Sequence, residues 1–228
     1  MRRGVGPAGA VIFDCDGVLV DSEPLALEVM AGELAALGLH LENAEIHRRF
    51  TGRSLADCQR IIGQLTPHPD VEGFASRFET RLGAVFEARL QPVDGIGDVL
   101  TALAAANRLV AVASSGSQAK IRRSLQLTGL GAFFPSSRVF SAEDVSEGKP
   151  APDLFLHAAG LIGVPPAHCT VVEDSTPGLM AATAAGMRVV ALVRPGTLPV
   201  EVPPGAEVAT DTRMLPRLLR ADRVENEA

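Results

Sequence analysis

Ala10-Val11-Ile12-Phe13-Asp14-Cys15-Asp16-Gly17-Val18-Leu19-Val20-Asp21-Ser22-Glu23 is the stretch on which the reading of this chain turns. Four apolar residues run unbroken into an acid, and a second acid and a glycine follow. Such a run suits a strand buried on both faces, as in a parallel sheet, with Asp14 at its carboxyl end. Similar runs recur at 109–113, 170–172 and 188–193, with a weaker one at 137–140. Helical patterns lie between them at 96–106, 117–127, 152–162 and 176–185. Alternating strands and helices imply right-handed βαβ crossovers. The expected fold is therefore α/β, a Rossmann-like doubly wound parallel sheet. Ligands of such sheets bind beyond the carboxyl ends of the strands.

Residues 21–91 break the alternation, because they hold no convincing strand. Ser22 is placed to cap a helix bearing Leu27, Met30, Leu34 and Leu37, which Gly38 ends in the αL conformation. A second helix follows Thr51-Gly52-Arg53-Ser54, with Leu55, Cys58, Ile61, Ile62 and Leu65 on one face. Thr66-Pro67-His68-Pro69 breaks it, and Asp70 is placed to cap a third with Val71, Phe74, Phe78, Leu82, Val85 and Phe86. The expected organisation is a core over 1–20 and 92–228, with a small α-helical domain over 21–91 inserted after the first strand. The tail from about 221 is polar, and fraying is expected there.

Bulk properties narrow the function. With 228 residues, 46% hydrophobic and 21% charged, the chain can bury a sizeable core. A formal charge of −6 argues against non-specific nucleic-acid binding. Cys15, Cys58 and Cys169 are odd in number and widely spaced, so neither a disulfide framework nor a zinc site is expected, and a reducing cytoplasm fits. Arg2 and Arg3 are not followed by the apolar region of a signal peptide, and no stretch approaches the roughly 18–20 apolar residues of a membrane span. A monomer is the default expectation. Lys120 and Lys149 are the only lysines, against 19 arginines.

Chemistry gathers at the strand ends. Asp14 and Asp16 lie two residues apart, so in extended backbone both side chains face one way. One reading is a turn with two solvated acids. A calcium loop fails, because Gly17 comes too early and Val18 stands where an acid is required. The other reading is phosphate transfer, with one carboxylate as nucleophile and the second as acid and base. Glu173-Asp174-Ser175 adds two acids at another strand end. Four converging carboxylates would repel, and a hard Mg²⁺ resolves that repulsion. Asp174 or Ser175 as a helix N-cap is the plainer alternative. Ser114-Ser115-Gly116-Ser117 reads either as an anion site at a helix N-terminus or as a simple cap. Lys149, after the weak run at 137–140, is placed to neutralise phosphate and hold the nucleophile ionised.

Together these residues resemble the haloacid dehalogenase-like superfamily along essentially the whole chain. Asp14-x-Asp16-Gly17, Ser114, Lys149 and Glu173-Asp174 stand in the family's order. Val18–Glu23, Lys149-Pro150-Ala151-Pro152-Asp153 and Glu173-Asp174-Ser175 are especially similar to the β-phosphoglucomutase and sugar-phosphatase branch. The resemblance implies Mg²⁺ as cofactor and a helical cap after the first strand. It makes Asp14 nucleophile and metal ligand, and Asp16 the acid/base with its carbonyl on the metal. Ser114 and the Ser115 amide would bind phosphate, with Lys149 linking phosphate to Asp14. Asp174 would ligate the metal, and Glu173 would do so directly or through water. Gly52 and Arg53, in a loop that such caps place over the site, are the candidates for substrate selection, a solvated loop arginine being the plainer reading.

Departures from the family choose among reactions. Asp16 disfavours dehalogenation. Phosphonoacetaldehyde hydrolases need a cap lysine, and no lysine lies between residues 21 and 119. β-Phosphoglucomutases carry a histidine where this chain has Ala26, and their cap lysine is missing, leaving Arg77, Arg81 or Arg89 as substitutes. The expectation is a phosphatase for small phosphorylated metabolites such as sugar phosphates, with a mutase as the alternative. A non-catalytic binding protein of this fold is a distant third reading, since no motif acid is lost.

Overall fold

The computed structural model describes residues 9–219 except 52 and 198. The chain forms two compact units, one of residues 21–91 and the other of the remaining described residues.

The larger unit is built on β1 (Ala10–Phe13), whose four residues are all fully buried. Later strands add on both sides of it. β2 (Leu109–Ser114) and β3 (Val139–Ser141) extend one side, and β4 (Cys169–Glu173), β5 (Arg188–Leu192) and β6 (Glu207–Ala209) the other. The order is β3-β2-β1-β4-β5-β6 with every pairing parallel. Ile12 pairs with Ala111 on one side and Val171 on the other, so β1 meets apolar neighbours across both ladders. The chain moves outward from β1 to β3 and then returns to lay β4 against β1. The crevice between β1 and β4 is thus the topological switch point, the preferred ligand position of open α/β sheets.

Helices of this unit are α5 (Ile96–Ala105), α6 (Gln118–Leu127), α7 (Asp153–Ile162), α8 (Thr176–Ala184) and the short α9 (Leu215–Leu219). Leu154, Phe155, Ala158, Leu179, Ala181 and Ala182 from α7 and α8 pack with Ile12, Ala111, Ala113 and Val171 of the sheet. The predicted strands and helices fall within one or two residues of these bounds. β6 and α9 are additions: Glu-Val-Ala is too short to signal a strand, and its middle residue Val208 is exposed at the sheet edge.

The smaller unit is wholly helical: α1 (Glu23–Ala36), α2 (Asn43–Phe50), α3 (Leu55–Leu65) and α4 (Phe74–Arg89). Val29, Leu34, Ile46, Phe50, Ile62, Phe74 and Phe78 share its core, and the Phe74 and Phe78 rings stack at 5.9 Å. The fully buried Glu33 of α1 receives Arg77 Nε at 3.0 Å and Arg81 Nη1 at 2.9 Å from α4. Arg89 pairs in bidentate fashion with Glu28 at 2.7 and 2.9 Å. Two expected caps differ. Ser22 is helical in backbone and makes no capping bond, the first turn being set instead by Pro24. Before α4 the chain first makes a 3₁₀ turn at Pro69–Gly73, capped by His68 Nδ1 accepting from the Asp70 amide, so Asp70 lies inside the turn.

Candidate active site

Asp14 follows β1 directly, and its amide donates to the Val172 carbonyl of β4 at 2.9 Å. The backbone then turns back sharply. Gly17, at φ +79°, donates to the Val20 carbonyl at 2.8 Å, while the Leu19 and Val20 amides both donate to the Cys15 carbonyl. Only glycine adopts that φ without strain. This closed loop presents the acids of β1 to the residues that end β2 and β4. Ser114 is the last residue of β2, Glu173 the last of β4, and Asp174 is next.

Lys149 ties these ends together. Its side chain is 4% exposed, and its ammonium donates to Asp14 Oδ1, to Glu173 Oε1 at 2.7 Å and to the Ala113 carbonyl of β2 at 3.0 Å. The Phe155 ring lies 5.0 Å below the ammonium, a cation–π contact supplied by α7. Burial opposes the charge on Lys149, but Asp14 and Glu173 outweigh it and hold the ammonium above its ordinary range. For Asp14 burial wins: it pushes the carboxyl up to about 7, against Lys149, with Glu173 and Asp16 pushing the same way. The nucleophile candidate is therefore poised between charged and neutral, and a further cation would tip it to the anion.

Asp174 lies against the same loop. A Cβ on Gly17 would stand 1.9 Å from Asp174 Oδ2, so the Asp174 carboxylate lies directly on the glycine of the Asp14 loop. Among the described residues no three His, Cys, Asp or Glu side chains form a metal centre. The resemblance names two carboxylates, Asp14 and Asp174, and the Asp16 carbonyl as the donors. That hard-oxygen set fits Mg²⁺, which keeps several waters and takes few protein carboxylates. Glu173 has partners of its own. Its Oε1 takes Lys149, and its Oε2 accepts from the Ser175 amide at 2.7 Å and the Ser175 hydroxyl at 2.9 Å. Gly178 makes room for this, since a Cβ there would lie 1.7 Å from Glu173 Oε1. Ser175 also caps α8 by accepting from the Gly178 amide, so capping and the acid cluster share this segment.

On the β2 side, the buried Ser114 hydroxyl accepts from the Gly116 amide at 3.3 Å, and Ser115 is exposed at the turn. Ser117 caps α6 by accepting from the Lys120 amide. Lys120 belongs to none of the motifs in the sequence. Its ammonium donates to Asp16 Oδ2 at 2.7 Å across 104 residues of sequence. Phe155 lies outside those motifs too, and an aromatic at helical spacing reads as core. Arg53 is exposed, and Gly52 is outside the described residues.

Four carboxylates and two ammonium groups concentrated at the switch point of a parallel sheet, with Asp14, Glu173 and the Lys149 side chain buried, mark an enzyme site of phosphate-handling type rather than a structural α/β domain. Residues 8–186 match the haloacid dehalogenase-like hydrolases, and the chain belongs to that family. It is 30% identical over 217 residues to the 6-phosphogluconate phosphatase of Escherichia coli, covering 93% of this chain and 95% of that one. It is 31% identical to hexitol phosphatase A of the same organism, over 82% of this chain and 84% of the relative. A crystal structure of a haloacid dehalogenase family hydrolase from Deinococcus radiodurans, with bound phosphate and sodium, superposes with a TM-score of 0.80. That protein shares 33% identity, over 93% of this chain and 95% of its own. The chain is thus a hydrolase of the phosphatase branch of this family. No helix among the described residues is long and apolar enough to cross a membrane.

Proposed function

We propose that this protein is a Mg²⁺-dependent phosphatase that hydrolyses small phosphomonoesters, of the sugar-phosphate or sugar-acid-phosphate class, through an aspartyl-phosphate on Asp14. The observation that carries the reading is the buried ammonium of Lys149 shared between Asp14 and Glu173. A positive charge held there by two acids, a carbonyl and a ring neither solvates nor moves. It is suited to orient Asp14 and to meet the charge of an incoming phosphate.

Asp14 attacks phosphorus, and the bond to the leaving oxygen breaks. Asp16 gives that oxygen a proton and then, as its conjugate base, takes one from the water that hydrolyses the phosphoenzyme. Ser114 and the Ser115 amide donate hydrogen bonds to the oxygens of the transferred phosphoryl group. Asp14, Asp174 and the Asp16 carbonyl would hold Mg²⁺, which when bound neutralises phosphate charge. Glu173 serves the reaction by fixing Lys149 rather than by touching the metal. The helical unit is a cap whose Gly52–Arg53 loop selects substrates, with Arg53 pairing a substrate carboxylate. The enzyme works in the cytoplasm as a monomer.

Support for hydrolysis over mutase chemistry comes from the helical unit. Arg77, Arg81 and Arg89, the cations able to replace a missing cap lysine, are engaged by Glu33 and Glu28. The test is a phosphate-release screen over sugar and sugar-acid phosphates with Mg²⁺, with β-glucose 1-phosphate and a bisphosphate primer alongside. Free phosphate lost in Asp14→Asn supports the reading. Isomerised sugar without free phosphate would replace it with a mutase.

A further inference from the structure

The chain contains two lysines, and each of them binds one of the two acids of the Asp14-x-Asp16 loop. Lys149 takes Asp14, as described above. Lys120 comes from the other direction, on the first turn of α6, and its Nζ meets Asp16 Oδ2 at 2.7 Å. The path of its side chain is specific. A Cβ on Gly116 would lie 3.4 Å from Lys120 Cδ and 3.7 Å from Ser114 Oγ, so the lysine stem crosses the phosphate-loop glycine on its way to Asp16. Ser117 fixes the start of that stem by capping the Lys120 amide at 3.2 Å.

The two pairs differ in setting. Lys149 is buried, whereas Lys120 is 39% exposed and Asp16 30% exposed, so solvent reaches the outer pair. Solvent screening leaves such a pair little part in holding the fold. Asp16 also sits in a turn with two-fold freedom about its terminal torsion, so something must fix its carboxylate plane if it is to face a leaving oxygen. A lysine grips one oxygen as a point charge, whereas arginine's fork engages both.

We propose that Lys120 is a positioning residue for the acid/base Asp16, holding its carboxylate on the leaving-group side of the phosphate loop. The proposal rests on the phosphatase reading and on the role of Asp16 within it. It predicts an effect confined to steps in which Asp16 moves a proton. The value of kcat/KM reports the first chemical step, in which the leaving oxygen needs a proton if it is an alkoxide but not if it is p-nitrophenolate.

The experiment compares Lys120→Met, Lys120→Arg, Asp16→Asn and the Asp16→Asn/Lys120→Met double variant, all with Mg²⁺, on an alkyl phosphate and on p-nitrophenyl phosphate. Circular dichroism establishes that each is folded. General acid–base groups contribute about 10²–10⁴-fold, and loss of orientation alone should forfeit roughly tenfold of that. Lys120→Met should lose about tenfold in kcat/KM on the alkyl phosphate and less than about twofold on p-nitrophenyl phosphate. Lys120→Arg, which keeps the charge but can engage both Asp16 oxygens, should recover only part of the loss. In the Asp16→Asn background, Lys120→Met should cost nothing further. Equal losses on both substrates, wild-type rates on the alkyl phosphate, or a full additional loss on top of Asp16→Asn would each overturn the proposal. Undiminished turnover in Asp16→Asn itself would instead sink the underlying acid/base reading.

Discussion

Replacing Lys149 by methionine tests how far the site's charges depend on one another. Methionine fills the space of the lysine stem and keeps the contact with Phe155, so packing changes little. What is lost is a buried positive charge between two buried acids: the side chains of Lys149, Asp14 and Glu173 are 4%, 10% and 1% exposed. Removing one partner of a buried ion pair costs about 3–5 kcal/mol, because the other is left uncompensated. Here one lysine serves two acids, which raises the cost. Protonation of Asp14, whose carboxyl already stands at about 7, returns part of it. A net loss of about 3–5 kcal/mol is expected, against a whole-domain stability of about 5–15 kcal/mol. In a chain of this size that corresponds to a fall in Tm on the order of 10 °C. The assay is urea and thermal unfolding followed by circular dichroism in metal-free buffer at pH 7.5. Asp14→Asn serves as control: it keeps Lys149 paired with Glu173 and should be at least as stable as the parent. A Lys149→Met protein as stable as the parent would show that these charges are solvated, and the reasoning about the site would fail.

Other consequences are simpler to state. In metal-free protein the Asp14 carboxyl is raised in the folded state, so the native form holds a proton that the unfolded chain has released. Stability must then fall as pH rises from about 4 to about 7, and Asp14→Asn should gain on the parent over that window by on the order of 2–4 kcal/mol, read from urea midpoints. A flat difference across that range would contradict the burial of Asp14. Gly17→Ala puts a Cβ 1.9 Å from Asp174 Oδ2 at a positive φ. It should raise the Mg²⁺ concentration for half-maximal activity by roughly tenfold or more, and an unchanged titration would remove Asp174 from the metal's surroundings. Cys15, Cys58 and Cys169 are buried, and burial raises the thiols, Cys169 to about 11. None should react with a disulfide reagent in the folded protein at pH 8 within minutes, whereas all three should in urea.

The parts of this protein that were legible in its sequence are those where composition and position say the same thing. Ala10–Phe13 is apolar without interruption because β1 is flanked by a strand on each side and covered on both faces. Asp14 and Gly17 follow at a chain reversal, which makes acids there conspicuous. Helix α2 was missed because Asn-Ala-Glu-Ile-His-Arg-Arg-Phe holds only two large apolar residues, Ile46 and Phe50, and their burial is decided by neighbouring helices. Glu173 was read beside Asp174 as one acid pair. The backbone turns the two apart, one towards Lys149 and Ser175 and the other onto Gly17, and that division depends on the small residue at 178. Lys120 carried no local signal, since its partner lies 104 residues away and only the β1–β2 register brings them together.

Everything rests on Asp14 forming the covalent bond to phosphorus. The most direct measurement is to quench the enzyme with acid during turnover of a sugar phosphate with Mg²⁺, reduce the acyl phosphate with borohydride, and map the modified residue by mass spectrometry. Conversion of Asp14, and of no other carboxylate, to homoserine is expected, with none in Asp14→Asn. Trapping at another residue, or rapid turnover by Asp14→Asn with no trapped species, would contradict it.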